Sequence, residues 1–104
     1  MIYLDSAATS LIKPKSVSAA MLNAMQTMAS PGRGGHIAAM RAADNIYNCR
    51  DLACGLFNYD KPERIVFTMN ASHALNIAIR STVKNGDTVC ISGYEHNSVT
   101  RTLK

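Results

Sequence analysis

Two short polar segments follow apolar runs in this sequence, and both carry side chains suited to holding a ligand. The first is Asn70–His73, which lies two residues after the apolar run Ile65–Phe67 and opens a helical pattern. The first turn of a helix offers free backbone N–H groups and the positive end of the helix dipole, which suit a phosphate. The segment therefore predicts a phosphate site, and an ordinary N-terminal helix cap is the alternative.

The second segment, Glu95–Ser98, follows the apolar run Thr88–Ser92 and contains a histidine. His96 is able to stack on a flat ring, transfer a proton or bind a metal. A metal site needs further ligands, and no HxxxH or Cys/His set surrounds His96, so we predict no metal. The alternative is a histidine whose role is structural.

The patterns around these segments alternate between helix and strand. Apolar residues recur at helical spacing in three stretches, which predicts helices over 14–28, over 37–57 and from 71 to the Asn85-Gly86 stop, with a further helix beginning at 99. Strands are predicted at 64–68 and 88–92, and 1–4 forms a short strand or an extended arm. This order predicts an α/β fold with a mainly parallel sheet, in which ligands bind at the carboxyl ends of the strands.

On the second helix, six residues are predicted to form one stripe: Ala39, Ala42, Ile46, Cys49, Ala53 and Leu56. The loop before that helix holds three glycines and a proline, together with Arg33 and His36. A flexible connector is one interpretation of this loop. The other is a backbone shaped so that Arg33 and His36 reach into a site.

Composition excludes several classes of function. The 104 residues carry 11 basic and 7 acidic side chains, and the positive charges are spread along the chain, so we expect no nucleic-acid binding. No apolar run approaches the roughly 18 residues that a membrane span needs, and no signal-peptide pattern opens the chain. The three cysteines form no ligand pattern and are expected to be reduced, mostly buried thiols of a cytoplasmic protein.

Four segments together resemble the successive N-terminal motifs of class V aminotransferases, nearest to the cysteine desulfurase-like branch. They are Tyr3–Thr9, Pro31–His36, Phe67–Asn76 and Glu95–Val99. The resemblance implies the fold-type I architecture of pyridoxal 5'-phosphate enzymes, a three-layer α/β/α domain with a mainly parallel sheet that is incomplete in this chain. The chain would be one partial domain: an N-terminal arm over 1–13, a helical segment over 14–57, and the start of the cofactor-binding domain over 58–104. In that topology, strands 64–68 and 88–92 are not neighbours.

The resemblance also assigns roles to individual residues. The family's Ala-Thr pair that binds the cofactor phosphate falls on Ala71 and Ser72, where serine keeps the hydroxyl. The histidine that stacks on the pyridine ring falls on His96. Four residues would lie near the substrate, and the last two approach the neighbouring subunit's site in family dimers: Ala7, Ala8, Arg33 and His36.

The implied function is that of an N-terminal portion of a cytoplasmic, homodimeric cysteine desulfurase. Such an enzyme converts cysteine to alanine and an enzyme-bound persulfide, which a sulfur-acceptor protein receives. No catalytic residue is expected in this chain, because the family's Schiff-base lysine lies further along the sequence, and Lys84 and Lys104 stand in the wrong context. We therefore expect these 104 residues alone to be inactive. The alternatives are another class V enzyme (aminotransferase, lyase or epimerase) and a non-catalytic partial chain that acts as a binding or association module.

Overall fold

The computed structural model describes residues 2–104, and within them the regular structure is helical. The elements are α1 (Lys15–Thr27), α2 (Ile37–Phe57), a 3-10 turn (Pro62–Arg64), α3 (Ala71–Thr82) and α4 (Asn97–Thr100). The predicted helices over 14–28 and 37–57 and the helix that begins at 71 are confirmed. Their periodic apolar spacing was therefore a sufficient signal for helix type and position.

The chain forms two compact units, the first ending at Ile65 and the second spanning Val66–Lys104. In the first unit, α1 packs against α2, and α2 packs against the 3-10 turn. In the second unit, α3 packs against α4. The two polar segments that predict a ligand site, Asn70–His73 and Glu95–Ser98, thus belong to the same unit.

The two ends of α2 are both fixed by local geometry. At the start, the His36 side chain accepts a hydrogen bond from the Ala39 backbone N–H. At the end, Asn58 adopts a left-handed backbone with φ of 50°, and the Tyr59 N–H donates to the Cys54 carbonyl at 2.9 Å. Asparagine is one of the few residues that tolerate this conformation, which is why it serves as a helix stop.

The predicted strands at 64–68 and 88–92 do not form in the described part of the chain. Arg64 ends the 3-10 turn instead, and the residues around both predicted strands carry no ladder. A strand exists only where a second segment completes its hydrogen bonds, and here no segment pairs with either one.

The last helix begins two residues earlier than predicted. The apolar pattern placed its start at Val99, whereas α4 runs from Asn97 to Thr100. The reason is His96, whose side chain accepts a hydrogen bond from the Ser98 backbone N–H and so caps the helix. Histidine stands outside the usual set of capping residues, so the residue types around position 97 do not predict this helix start.

Few side chains are buried. Among the described residues, the buried hydrophobic ones are Ala39, Ala42 and Cys54, and all belong to α2. Within the predicted stripe, Ala39 and Ala42 are buried, whereas Cys49 is exposed and Leu56 is 80% exposed. The described residues leave Cys49 and Leu56 uncovered, although Cys54 on the same half of α2 is buried.

Large apolar side chains are accordingly exposed on several elements. On α1, four of them lie open to solvent: Val17, Met21, Leu22 and Met25. Contiguous exposed apolar surface is typical of an interaction face. No helix in residues 2–104 combines the length and the hydropathy that crossing a membrane requires.

We predict that the 104-residue chain in isolation binds the apolar dye ANS and loses its helical circular dichroism over a broad temperature range. The reason is that the three small side chains buried within residues 2–104 provide too little apolar burial for a sharp cooperative transition. A monomer in analytical ultracentrifugation that melts sharply and does not bind the dye would contradict this expectation.

Candidate functional site

Helix α3 begins at Ala71, and the side chain of the preceding residue, Asn70, caps it. Asn70 has an extended backbone (φ −166°, ψ 172°), and its Oδ1 accepts a hydrogen bond from the His73 N–H at 2.9 Å. Its carbonyl oxygen accepts from the Ala74 N–H at 3.1 Å. The predicted alternative of an N-terminal cap is therefore correct at Asn70.

The cap leaves part of the helix terminus available to a ligand. The backbone N–H groups of Ala71 and Ser72 have no acceptor among the described residues. Ser72 is exposed and adds a hydroxyl beside these two amides. Two free amides, one hydroxyl and the positive end of a twelve-residue helix form an arrangement that favours an anion. The cap and the phosphate site are thus compatible at this turn.

A hydrogen-bonded cluster joins the two polar segments of the second unit. The Ser72 and Ser98 hydroxyl oxygens lie 2.5 Å apart, although the residues are 26 positions apart in sequence. Ser98 Oγ also lies 2.9 Å from His96 Nδ1. The structure therefore brings together Ser72 and His96, for which the family resemblance implies a shared cofactor, and Ser98 is the residue that connects them.

These residues line a cleft of about 460 Å³ on the second unit. The other lining residues are Asn76, Arg80, Asn97, Arg101 and Thr102. Two arginines and no carboxylate contribute to the wall, so its electrostatic potential favours a negatively charged ligand. Arg80 Nε donates to Asn76 Oδ1 at 3.4 Å, and Asn76 Nδ2 donates to the Ser72 carbonyl at 3.0 Å. These bonds orient the amide of Asn76 along the helix toward Ser72.

The first unit holds the other predicted site residues. Ala7 and Ala8 lie exposed on a turn in which the Asp5 carbonyl accepts from the N–H groups of Ala8 (3.1 Å) and Thr9 (3.3 Å). The Tyr3 hydroxyl lies 2.7 Å from the Thr9 carbonyl and 3.1 Å from that of Asp5. Tyr3 thus fixes the turn that presents the two alanines.

The glycine-rich loop lies close to the His36 ring. His36 Nδ1 accepts from the Ala39 N–H at 3.3 Å, and a Cβ atom on Gly34 would lie only 2.8 Å from the imidazole ring. Gly32 has a φ of +82°, a conformation that glycine adopts without strain. In this structure His36 is a helix cap, while Arg33 is exposed to solvent.

Sequence reasoning missed two residues of these arrangements, Ser98 and Tyr3. A hydroxyl two positions after a histidine that caps a helix is a usable signal for Ser98, but it depends on knowing that α4 starts at Asn97. For Tyr3 no periodic pattern applies, since its hydroxyl bonds within the local turn.

The cysteines differ in environment. Cys49 and Cys90 are exposed and Cys54 is buried, so the expectation of mostly buried thiols is wrong for two of the three. Burial raises the pKa of the Cys54 thiol, and a hydrogen bond from the Lys61 backbone opposes that rise. A raised pKa keeps the thiol protonated and unreactive. In residues 2–104 no group of three or more His, Cys, Asp or Glu side chains is placed to hold a metal ion.

Comparison with known proteins places these features in context. The family model described as "Aminotransferase class-V" matches residues 2–104. The chain is 33% identical over 103 residues to a probable cysteine desulfurase of Synechocystis sp., covering 94% of this chain and 24% of that protein. It is 31% identical over 110 residues to the cysteine desulfurase IscS of Vibrio cholerae, covering 99% of this chain and 27% of that protein. No solved structure matches the chain.

We predict that Gly34→Ala disrupts the cap at the start of α2. The new methyl group would lie 2.8 Å from the His36 ring, so the ring must move. The Ala39 N–H then loses its hydrogen bond to His36 Nδ1 and keeps only the one to the His36 carbonyl oxygen, at 3.0 Å. Loss of a cap costs about 1 kcal/mol, so the Ala39 amide should exchange its hydrogen roughly fivefold faster.

The matched control is Gly35→Ala, because a Cβ atom at Gly35 meets nothing within 4 Å. Equal exchange rates at Ala39 in the two variants would show that the contact with Gly34 does not hold His36 in place.

Proposed function

The chain belongs to the class V aminotransferase family, and we propose that it forms the part of a pyridoxal 5'-phosphate-dependent cysteine desulfurase that holds the cofactor phosphate. It spans about a quarter of the length of the curated relatives it matches. The desulfurase reaction and cysteine as its substrate are thus proposed for the whole protein. The fold-type I arrangement of three layers is proposed for the whole protein as well.

The observation that carries the proposal is the open turn at the start of α3. Ala71 and Ser72 present free amides, and the Ser72 hydroxyl lies beside them in a cleft with two arginines and no carboxylate. A phosphate ester carries close to two negative charges and several acceptor oxygens, so these groups suit it in charge and in hydrogen bonding. The residues present fit the phosphate of the cofactor.

His96 supports the same proposal. It lines the cleft that contains Ser72, and its ring is held through Nδ1 by Ser98. With Nδ1 engaged, the faces of the ring remain available for stacking on a flat heterocycle. When bound, pyridoxal phosphate supplies the electron sink for chemistry at the α-carbon of an amino acid. The residues of this chain then bind and orient it.

The remaining site assignments are proposals as well. Ala7 and Ala8, on the turn fixed by Tyr3, and the exposed Arg33 are proposed to border the substrate. His36 is proposed there too, alongside its role as a helix cap. The whole protein is proposed to be a cytoplasmic homodimer that passes sulfur to an acceptor protein; three free cysteines support a reducing compartment.

One observation favours a second candidate function. The exposed apolar side chains of α1, among them Met21 at 61% and Met25 at 74% exposure, are suited to covering another protein surface. On this alternative, the chain is an association module without chemistry of its own. Other class V reactions, as in aminotransferases, lyases or epimerases, would use the same cofactor turn.

We predict that Ser72→Ala weakens binding of pyridoxine 5'-phosphate to the complete natural protein, freed of cofactor, by roughly tenfold or more. A hydrogen bond to a charged group contributes about 1.5–3 kcal/mol, which corresponds to this factor. Pyridoxine phosphate lacks the aldehyde, so it does not condense with lysine side chains, and calorimetry then reports the non-covalent site alone.

Two controls accompany this measurement. Ser81→Ala removes a hydroxyl that donates to the Ala78 carbonyl elsewhere on α3 and should leave the affinity unchanged. Pyridoxine without phosphate should bind weakly and be insensitive to Ser72→Ala. An affinity for pyridoxine phosphate that is equal in Ser72→Ala and the unmodified protein would refute the phosphate role.

A further inference from the structure

Three polar groups form a continuous chain across the second unit, and Ser98 lies at its centre. Its hydroxyl oxygen is 2.5 Å from Ser72 Oγ on one side and 2.9 Å from His96 Nδ1 on the other. Ser72 and His96 are exposed, Ser98 is half-buried, and all three line the same cleft. Ser72 and His96 are therefore connected through Ser98.

The Ser98 backbone N–H determines which nitrogen of the neutral His96 ring carries the hydrogen. The Ser98 backbone N–H points at His96 Nδ1 with an N···N distance of 3.1 Å, and a backbone amide only donates. Nδ1 must therefore carry a lone pair, and the neutral ring carries its hydrogen on Nε2. The Ser98 hydroxyl, at 2.9 Å, is consequently able to donate to Nδ1 as well.

Two hydroxyl hydrogens, those of Ser72 and Ser98, supply both contacts: Ser72 to Ser98 and Ser98 to His96. Without an anion, the Ser72 hydroxyl donates to Ser98 Oγ and the Ser98 hydroxyl donates to His96 Nδ1, so both close contacts contain a hydrogen. A phosphate oxygen accepts, so it takes the Ser72 hydrogen. Once Ser72 donates its hydrogen to the phosphate, the hydrogen between Ser72 Oγ and Ser98 Oγ must come from the Ser98 hydroxyl.

We propose that Ser98 is a positioning residue whose hydroxyl couples the phosphate turn to the His96 ring. When an anion binds at Ser72, the Ser98 hydrogen turns from His96 Nδ1 to Ser72 Oγ. Ser72 is thereby held as a donor to the anion, and His96 keeps the Ser98 backbone hydrogen bond alone. This inference rests on the proposed phosphate role of Ser72 and adds a connection between the two ends of the site.

The coupling changes how firmly the His96 ring is held when a ligand binds. Before an anion binds, two hydrogen bonds from Ser98 hold the His96 ring, and afterwards one does. Occupation of the phosphate turn therefore loosens the ring in its plane without removing the helix cap. A ligand that carries both a phosphate and a flat ring meets a histidine that adjusts after the phosphate has bound.

The test is ¹⁵N NMR of the histidine side chains in the complete natural protein, freed of cofactor, with inorganic phosphate as the probe. Phosphorus NMR of the same sample reports whether phosphate binds. In the unmodified protein we expect the His96 Nδ1 resonance to move downfield as phosphate binds, because a nitrogen lone pair that loses a hydrogen bond is deshielded. The Nε2–H form should dominate throughout.

Three variants separate this role from a merely structural one. In Ser98→Ala, the His96 Nδ1 resonance should lie downfield of its position in the unmodified protein before phosphate is added, and phosphate should not move it. Ser98→Thr keeps a hydroxyl and should restore the response to phosphate. Ser81→Ala should behave as the unmodified protein does.

The outcomes distinguish the two proposals. If phosphate binds but the His96 resonance does not move, or moves equally in Ser98→Ala, the coupling is wrong and the phosphate role of Ser72 stands. If phosphate does not bind, both the coupling and the proposed function are overturned.

Discussion

The contact between the Ser72 and Ser98 hydroxyls, at 2.5 Å, is the interaction on which the candidate site depends. It joins the start of α3 to the start of α4 and thereby gathers two polar segments that are 26 positions apart. Through it, a turn suited to an anion and a ring suited to stacking share one cleft. Without this contact, the turn at the start of α3 would be an ordinary helix terminus, and His96 would be an isolated exposed histidine.

Capping side chains organise the rest of the structure at short range. His36 caps α2, Asn70 caps α3 and His96 caps α4, each by accepting a hydrogen bond from a backbone N–H two or three residues ahead. Two of these three residues were identified from sequence as ligand-binding histidines. For both, the cap uses Nδ1 and leaves the rest of the ring available, so a structural and a functional role coexist in one side chain.

The sequence predicted those features that depend on local interactions. Helix positions follow from apolar spacing, and the cap at Asn70 follows from its place before a helical pattern. Two outcomes in the described part of the chain were not predictable in the same way: segments 64–68 and 88–92 form no strand, and Cys49 and Leu56 are exposed. Both depend on partners: a ladder needs a second strand, and an apolar stripe needs a covering element. The pairing of Ser72 with Ser98 is likewise a long-range contact, which no periodic pattern encodes.

The most direct test of the central claim is the amide NMR spectrum of the protein during titration with pyridoxine 5'-phosphate. If the turn at Ala71 and Ser72 holds the phosphate, these two amide protons, which have no acceptor among the described residues, should move downfield more than any others. Charge-assisted hydrogen bonds to phosphate oxygens cause such shifts. Largest shifts at Arg33–His36, or small shifts spread over the surface lysines, would contradict the claim.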